Sequence, residues 1–128
     1  MFRALVAPDQ LARWWGPAGF TSPEVDFEAR VGESYRIKMQ PPDGDAFCLR
    51  GEFLEVEPPR RLAYTFIWEE PDPDDQETLV TLTLGDRSGS TVLTLDQGPF
   101  ATEGRLDLHR GGWSDGFERL RAVISSGT

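Results

Sequence analysis
The sequence predicts an α+β fold in which an antiparallel meander of about six strands lies between two short N-terminal helices and one long C-terminal helix. Three observations carry that expectation. Apolar and polar residues alternate in short runs between Val25 and Leu95, separated by Gly and Pro turn signals. Apolar residues recur at helical spacing from Leu106 to Ile124. The chain has 128 residues and is 38% hydrophobic, which suits one core, so residues 1–128 are read as a single domain.

The elements follow in order. Phe2, Leu5, Val6, Leu11, Trp14 and Trp15 stand at helical spacings, interrupted by Pro8, with Asp9 placed to cap the second helix. Gly16, Pro17 and Gly19 stop helical continuation. Val25, Phe27, Ala29 and Val31 then alternate with Asp26, Glu28 and Arg30, the pattern of a half-buried strand. After Gly32 and Glu33, Tyr35, Ile37 and Met39 alternate with Arg36 and Lys38 as a hairpin partner, and PPDGD at 41–45 is the next turn. Phe47, Leu49, Gly51 and Phe53 share a face of the third strand, while Leu54 and Val56 break the alternation and predict a bulge. Pro58 and Pro59 end it. Leu62, Tyr64, Phe66 and Trp68 mark the fourth strand, Val80, Leu82 and Leu84 the fifth, and Leu93 and Leu95 the sixth.

Leu106, His109, Trp113, Phe117, Leu120 and Ile124 recur at steps of 3, 4, 4, 3 and 4, so they form one stripe on the last helix. Gly111, Gly112 and Gly116 lie within the same helix, although each costs about 1 kcal/mol relative to Ala. Gly116 flanks the stripe, where a missing side chain serves either close backbone approach or a cavity wall; close approach is favoured because interiors leave few voids.

Charge narrows the function. Twenty-two acidic against thirteen basic residues give a formal net charge of −9, which opposes binding to nucleic acid and to anionic membrane surfaces. No apolar run is long enough to span a membrane, and the first residues lack signal-peptide character, so a cytoplasmic location is expected. Cys48, the lone cysteine, has no partner for a disulfide.

Five motifs, LVAPDQLARWWGP, RVGESYRIKM, RGEFLEVEPPRRLAYTFIW, ETLVTLTL with GSTVLTL, and LHRGGWSDGFERL, resemble in sequence and order the bacterial relatives of the heat-shock-protein-90 ATPase activator family. That family belongs to the START-like, or SRPBCC, superfamily. The resemblance covers nearly the whole chain and implies a helix-grip fold: a curved sheet around the long helix, two short helices closing one end, and a cavity between sheet and helix. Trp14 and Trp15 would then seal that end as a hydrophobic plug, with ligand contact by one of them as the alternative. The sequence departs from the family at Glu33, where another glycine is usual. It also lacks the family's first strand, which would leave residues 91–97 as an open edge. Either a second copy covers that edge in a homodimer, or translation begins upstream of Met1; the upstream start is favoured because Met1 stands where the family often has an aliphatic residue.

Candidate chemistry is sparse. His109 is the sole histidine and lies on the apolar stripe, where a satisfied core role is favoured over that of a base or ligand. Asp26, Asp96 and Glu52 fall on the outer face by alternation, so no catalytic pair is expected, and there is no Gly-x-Ser-x-Gly elbow or phosphate loop. The run EEPDPDDQE at 69–77 holds six acids in nine residues and is read as a solvated hairpin loop rather than a cation site. Cys48 with His109 makes a poor metal pair, so no metal, cofactor or catalytic residue is expected.

The inward face remains. Trp15, Tyr35, Met39, Phe47, Leu49, Tyr64, Phe66, Trp68, His109, Trp113 and Phe117 are the candidate ligand-binding residues, suited to a small hydrophobic or flat aromatic molecule held by one or two hydrogen bonds. The same aromatics can instead pack on one another and fill the space. Three functions compete on this scaffold: a small-molecule binding protein, a cyclase or hydrolase of aromatic substrates, and a chaperone-partner role implied by the eukaryotic members. The binding protein leads because no polar pair is visible inside.

Overall fold
A computed structural model describes residues 2–70, 73, 75–87 and 90–125. In order they form α1 (Phe2–Val6), α2 (Pro8–Trp14), β1 (Thr21–Asp26), β2 (Ser34–Gln40), β3 (Phe47–Glu57), β4 (Arg61–Trp68), β5 (Thr78–Arg87), β6 (Ser90–Gly98) and α3 (Glu103–Ser125). The strands make one antiparallel sheet in the order β1-β2-β3-β4-β5-β6, so each pairs with its neighbour in sequence. This is the expected helix-grip architecture, with α3 along the sheet and the short helices beside it.

Pro8 opens α2, where its missing N–H costs nothing, and the cap is Ala7 without a side-chain bond. The expected capping role of Asp9 is therefore corrected: it lies in the first turn, where the helix dipole favours its charge. The Trp14 indole Nε1 donates to Ala4 O at 2.7 Å and ties α2 to α1.

The first strand differs more. Pairing ends at Asp26 opposite Arg36, and the alternating segment from Phe27 to Val31 lies outside the ladder. Phe27 turns into a cluster with Tyr35, Phe53 and Tyr64, ring centroids 4.9 to 5.9 Å away, while Val31 is 61% exposed. Aromatic burial overrides continued pairing there. Gly32, at φ +90°, then carries the turn into β2 beside Glu33, whose carbonyl accepts from Phe53 N at 3.0 Å. The β3 bulge falls where the pattern breaks: Phe53 faces Tyr64 and Glu55 faces Ala63, leaving Leu54 as the extra residue.

Gly51 shows how tightly one end of the core is packed. A Cβ there would stand 1.9 Å from Thr65 O and 2.6 Å from the Tyr35 ring. The bare backbone admits both groups, so the buried Tyr35 hydroxyl donates to that carbonyl at 2.7 Å. Phe27, Tyr35, Phe53 and Tyr64 fill this end. The far end of the sheet, where β2 and β4 finish and β3 begins, is where space remains.

In the acidic run, residues 71, 72 and 74 lie outside the described residues, as does Met1. β6 pairs with β5 alone among the described residues, so its other edge is free of strand partners. No helix among them is long and apolar enough to cross a membrane.

Candidate ligand-binding site
A cavity of about 330 Å³ opens between that far end of the sheet, the α2–β1 loop and α3. Its size falls within the range of small-molecule sites, roughly 300 to 1,000 Å³. Trp14, Trp15, Gly16, Pro17 and Phe20 form one wall; Met39, Phe47, Cys48, Phe66 and Trp68 come from β2, β3 and β4; Leu108, His109, Gly112, Trp113 and Gly116 come from α3. Glu70, Asp75 and Arg105 supply its charged groups.

Of the residues singled out in the sequence, Trp15, Met39, Phe47, Phe66, Trp68, His109 and Trp113 stand on this wall. Tyr35, Leu49 and Tyr64 do not. They are at most 2% exposed and belong to the packed core, since the inward face continues past the cavity into the filled end of the sheet. Phe117 stands behind the wall, 5.9 Å from the Trp14 ring and 5.6 Å from the Trp113 ring.

Trp14 and Trp15 are both buried and both line the cavity, so plug and wall are the same pair. Trp15 meets Trp113 edge-on at 5.0 Å. Gly116 lets α3 approach: a Cβ there would lie 3.1 Å from Trp14 O. Arg119, three residues beyond Gly116 on α3, fastens the same junction by donating to the carbonyls of Trp14, Trp15, Gly16 and Pro17. These carbonyls include ones left open where α2 ends, and a guanidinium has donors enough for several. Sequence reasoning passed over Arg119, which the stripe places beside Gly116 and Leu120.

The polar end centres on His109. Its ring stands among Phe66, Trp68 and Phe100, with centroids 5.4, 5.8 and 4.9 Å away. The Trp68 indole Nε1 donates to His109 Nε2 across 3.5 Å, longer than a well-formed hydrogen bond. Burial holds the imidazole pKa below its ordinary value, Arg105 lowers it further, and Asp75 acts the other way. Arg105 Nε pairs with Asp75 Oδ1 at 3.2 Å, and these side chains are only 15% and 7% exposed. Sequence reasoning missed this pair. Arg105 sits one helical turn before His109, a signal that was there to use; Asp75 arrives from a distant loop and gave none.

A second indole on the wall is hydrogen-bonded. Trp113 Nε1 donates to Gln97 Oε1 at 2.7 Å, and Gln97 Nε2 donates to Thr78 Oγ1 at 2.9 Å. Among the described residues, no three His, Cys, Asp or Glu side chains gather as a metal site.

Sheet, gripping helix and an apolar chamber between them define a START-like helix-grip protein. The chain belongs to the family described as activator of Hsp90 ATPase homolog 1-like protein, whose profile matches residues 1–125. Solved structures agree. A Chromobacterium violaceum protein superposes with a TM-score of 0.87 at 26% identity, covering 96% of this chain and 85% of its own. The AHSA1 protein of Silicibacter pomeroyi gives 0.83 at 25% identity, over 97% and 87%. A Mesorhizobium loti protein gives 0.75 at 28%, over 98% and 87%. No curated protein matches the chain significantly.

Proposed function
We propose that this protein binds a small hydrophobic or aromatic molecule in the cavity between its sheet and α3. The observation that carries this is the roughly 330 Å³ chamber walled by Trp14, Trp15, Trp68 and Trp113. Dense aromatic packing closes the other end of the core yet leaves this space, and the START-like fold commonly binds hydrophobic ligands. Trp15, Met39, Phe47, Phe66, Trp68, His109 and Trp113 contact the ligand, with Phe20 and Leu108 at its margin. A cytoplasmic location, with residues 1–128 as one domain, is part of the proposal. The free edge of β6 is available to a second copy, so a homodimer through residues 91–97 is part of the proposal.

A second reading has one observation behind it: His109, Asp75 and Arg105 share the cavity wall, a polar set that a hydrolase or cyclase would need. It ranks lower because Arg105 already engages the Asp75 carboxylate. Native mass spectrometry of protein purified from its own host tests the first reading. A stoichiometric hydrophobic small molecule supports it; protein that carries none and takes up no hydrophobic probe in titration refutes it.

A further inference from the structure
The cavity wall is apolar except at one end, and the chemistry of that end restricts what it accepts. Trp68 Nε1 and His109 Nε2 face each other there as donor and acceptor, 3.5 Å apart. That separation exceeds the roughly 2.7 to 3.2 Å of a good hydrogen bond, so neither group is well used by the other. Other hydrogen-bonding side chains of the chamber are engaged: Trp14 with Ala4 O, Trp113 with Gln97 and Arg105 with Asp75. Glu70 is exposed at the margin, where solvent screens its charge.

We propose that the Trp68–His109 pair is a hydroxyl-recognition site, and that the ligand class is an uncharged aromatic alcohol. This rests on the reading of the chamber as a ligand site. A hydroxyl is the group that answers both partners, donating its proton to Nε2 and accepting from the indole N–H. A carboxylate only accepts and, among the described residues of the wall, finds no free cation, because Asp75 already holds Arg105. An ammonium only donates and would bring a charge into an apolar wall beside the Arg105 guanidinium. A hydrocarbon leaves both groups as they are. Burial keeps His109 neutral near pH 7, so its Nε2 lone pair remains an acceptor. The rings of Phe47 and Phe66 beside this pair, with Trp15 and Trp113 also on the chamber wall, suit a flat ring system attached to that hydroxyl.

The test is calorimetric titration of the full chain near neutral pH with four probes on one ring system: naphthol, methylnaphthalene, naphthoate and aminomethylnaphthalene. Naphthol should bind about five-fold more tightly than methylnaphthalene, the worth of one net hydrogen bond. His109→Leu should abolish that preference, so that naphthol and methylnaphthalene then bind alike. Trp68→Phe keeps an aromatic wall, should reduce the preference, and serves as the test where His109→Leu does not fold. Equal binding of naphthol and methylnaphthalene would overturn the hydroxyl site and leave the hydrophobic chamber standing. Tightest binding by naphthoate or aminomethylnaphthalene overturns it as well. A naphthol preference that survives both substitutions places the hydroxyl elsewhere and also overturns it. Failure of all four probes to bind overturns the chamber reading with it.

Discussion
Gly51 and Arg119 bear on stability through opposite means, one by an absent side chain and one by a long one. At Gly51 a methyl group would overlap the Thr65 carbonyl, a backbone atom that cannot rotate away. Gly51→Ala must therefore shift β4 or break the Tyr35 hydrogen bond, and should cost more than about 2 kcal/mol in a denaturant titration. An unchanged midpoint would show that the strand yields freely. Arg119→Met keeps the apolar stem but strips the donors from the carbonyls that close α2, and should cost about 1 to 2 kcal/mol. Arg119→Lys should recover only part of this in thermal melts, since an ammonium cannot reach several carbonyls in one plane. Neither role was legible in the sequence. The alternation around Gly51 says that it faces inward, yet only the fold reveals the carbonyl opposite it. The inward-facing aromatics were legible as a set, but alternation carries no depth, so Tyr35 and Tyr64 in the filled end looked the same as Phe66 and Trp68 on the cavity wall.

Among the elements, α3 was the plainest in the sequence and β1 the least plain. The α3 stripe runs for several turns, and a period sustained that long has few competing explanations. The segment from Val25 to Val31 also alternates, but alternation records which side chains turn inward rather than which backbone groups are paired. Phe27 meets that condition by entering an aromatic cluster beyond the last β1–β2 pair, so the strand lies earlier, across Pro23 at the sheet edge, where a missing donor is tolerated. The glycines of α3 show a similar division of causes. Nothing stands within 4 Å of a Cβ built at Gly111, whereas one at Gly116 meets Trp14 O at 3.1 Å. Gly111→Ala should therefore stabilise the protein by up to about 1 kcal/mol through helix propensity alone. Gly116→Ala gains the same propensity but presses α3 away from α2, and its midpoint should fall below that of the parent. Should both variants gain stability alike, the close approach of α3 to the Trp14 backbone would be of no consequence.

For the molecule as a whole, the sole histidine couples the cavity to global stability. His109 has its pKa held below the ordinary value, chiefly by burial, with Arg105 adding to the effect and Asp75 opposing it. The unfolded chain frees the imidazole of these surroundings and restores a value of about 6.5. Above that pH both states are neutral at this residue and stability does not depend on it. As the pH falls through about 6.5, the unfolded chain takes up the proton first, so the native state is progressively disfavoured until the folded-state pKa is passed. A free Asp or Glu in a peptide titrates near 4, below this window. Glu69, drawn lower by its hydrogen bonds from Arg36, titrates later still, and its pair is exposed to solvent. The melting temperature should thus decline between about pH 7.5 and 5.5, and His109→Leu should flatten that decline. A ligand hydroxyl bound to Nε2 favours the neutral ring, so saturation with naphthol should steepen the same decline, whereas methylnaphthalene should raise the melting temperature almost evenly across the range. A parent profile as flat as that of His109→Leu would mean that His109 titrates freely in the folded protein, and the cavity end would then be wetter than its aromatic surroundings imply.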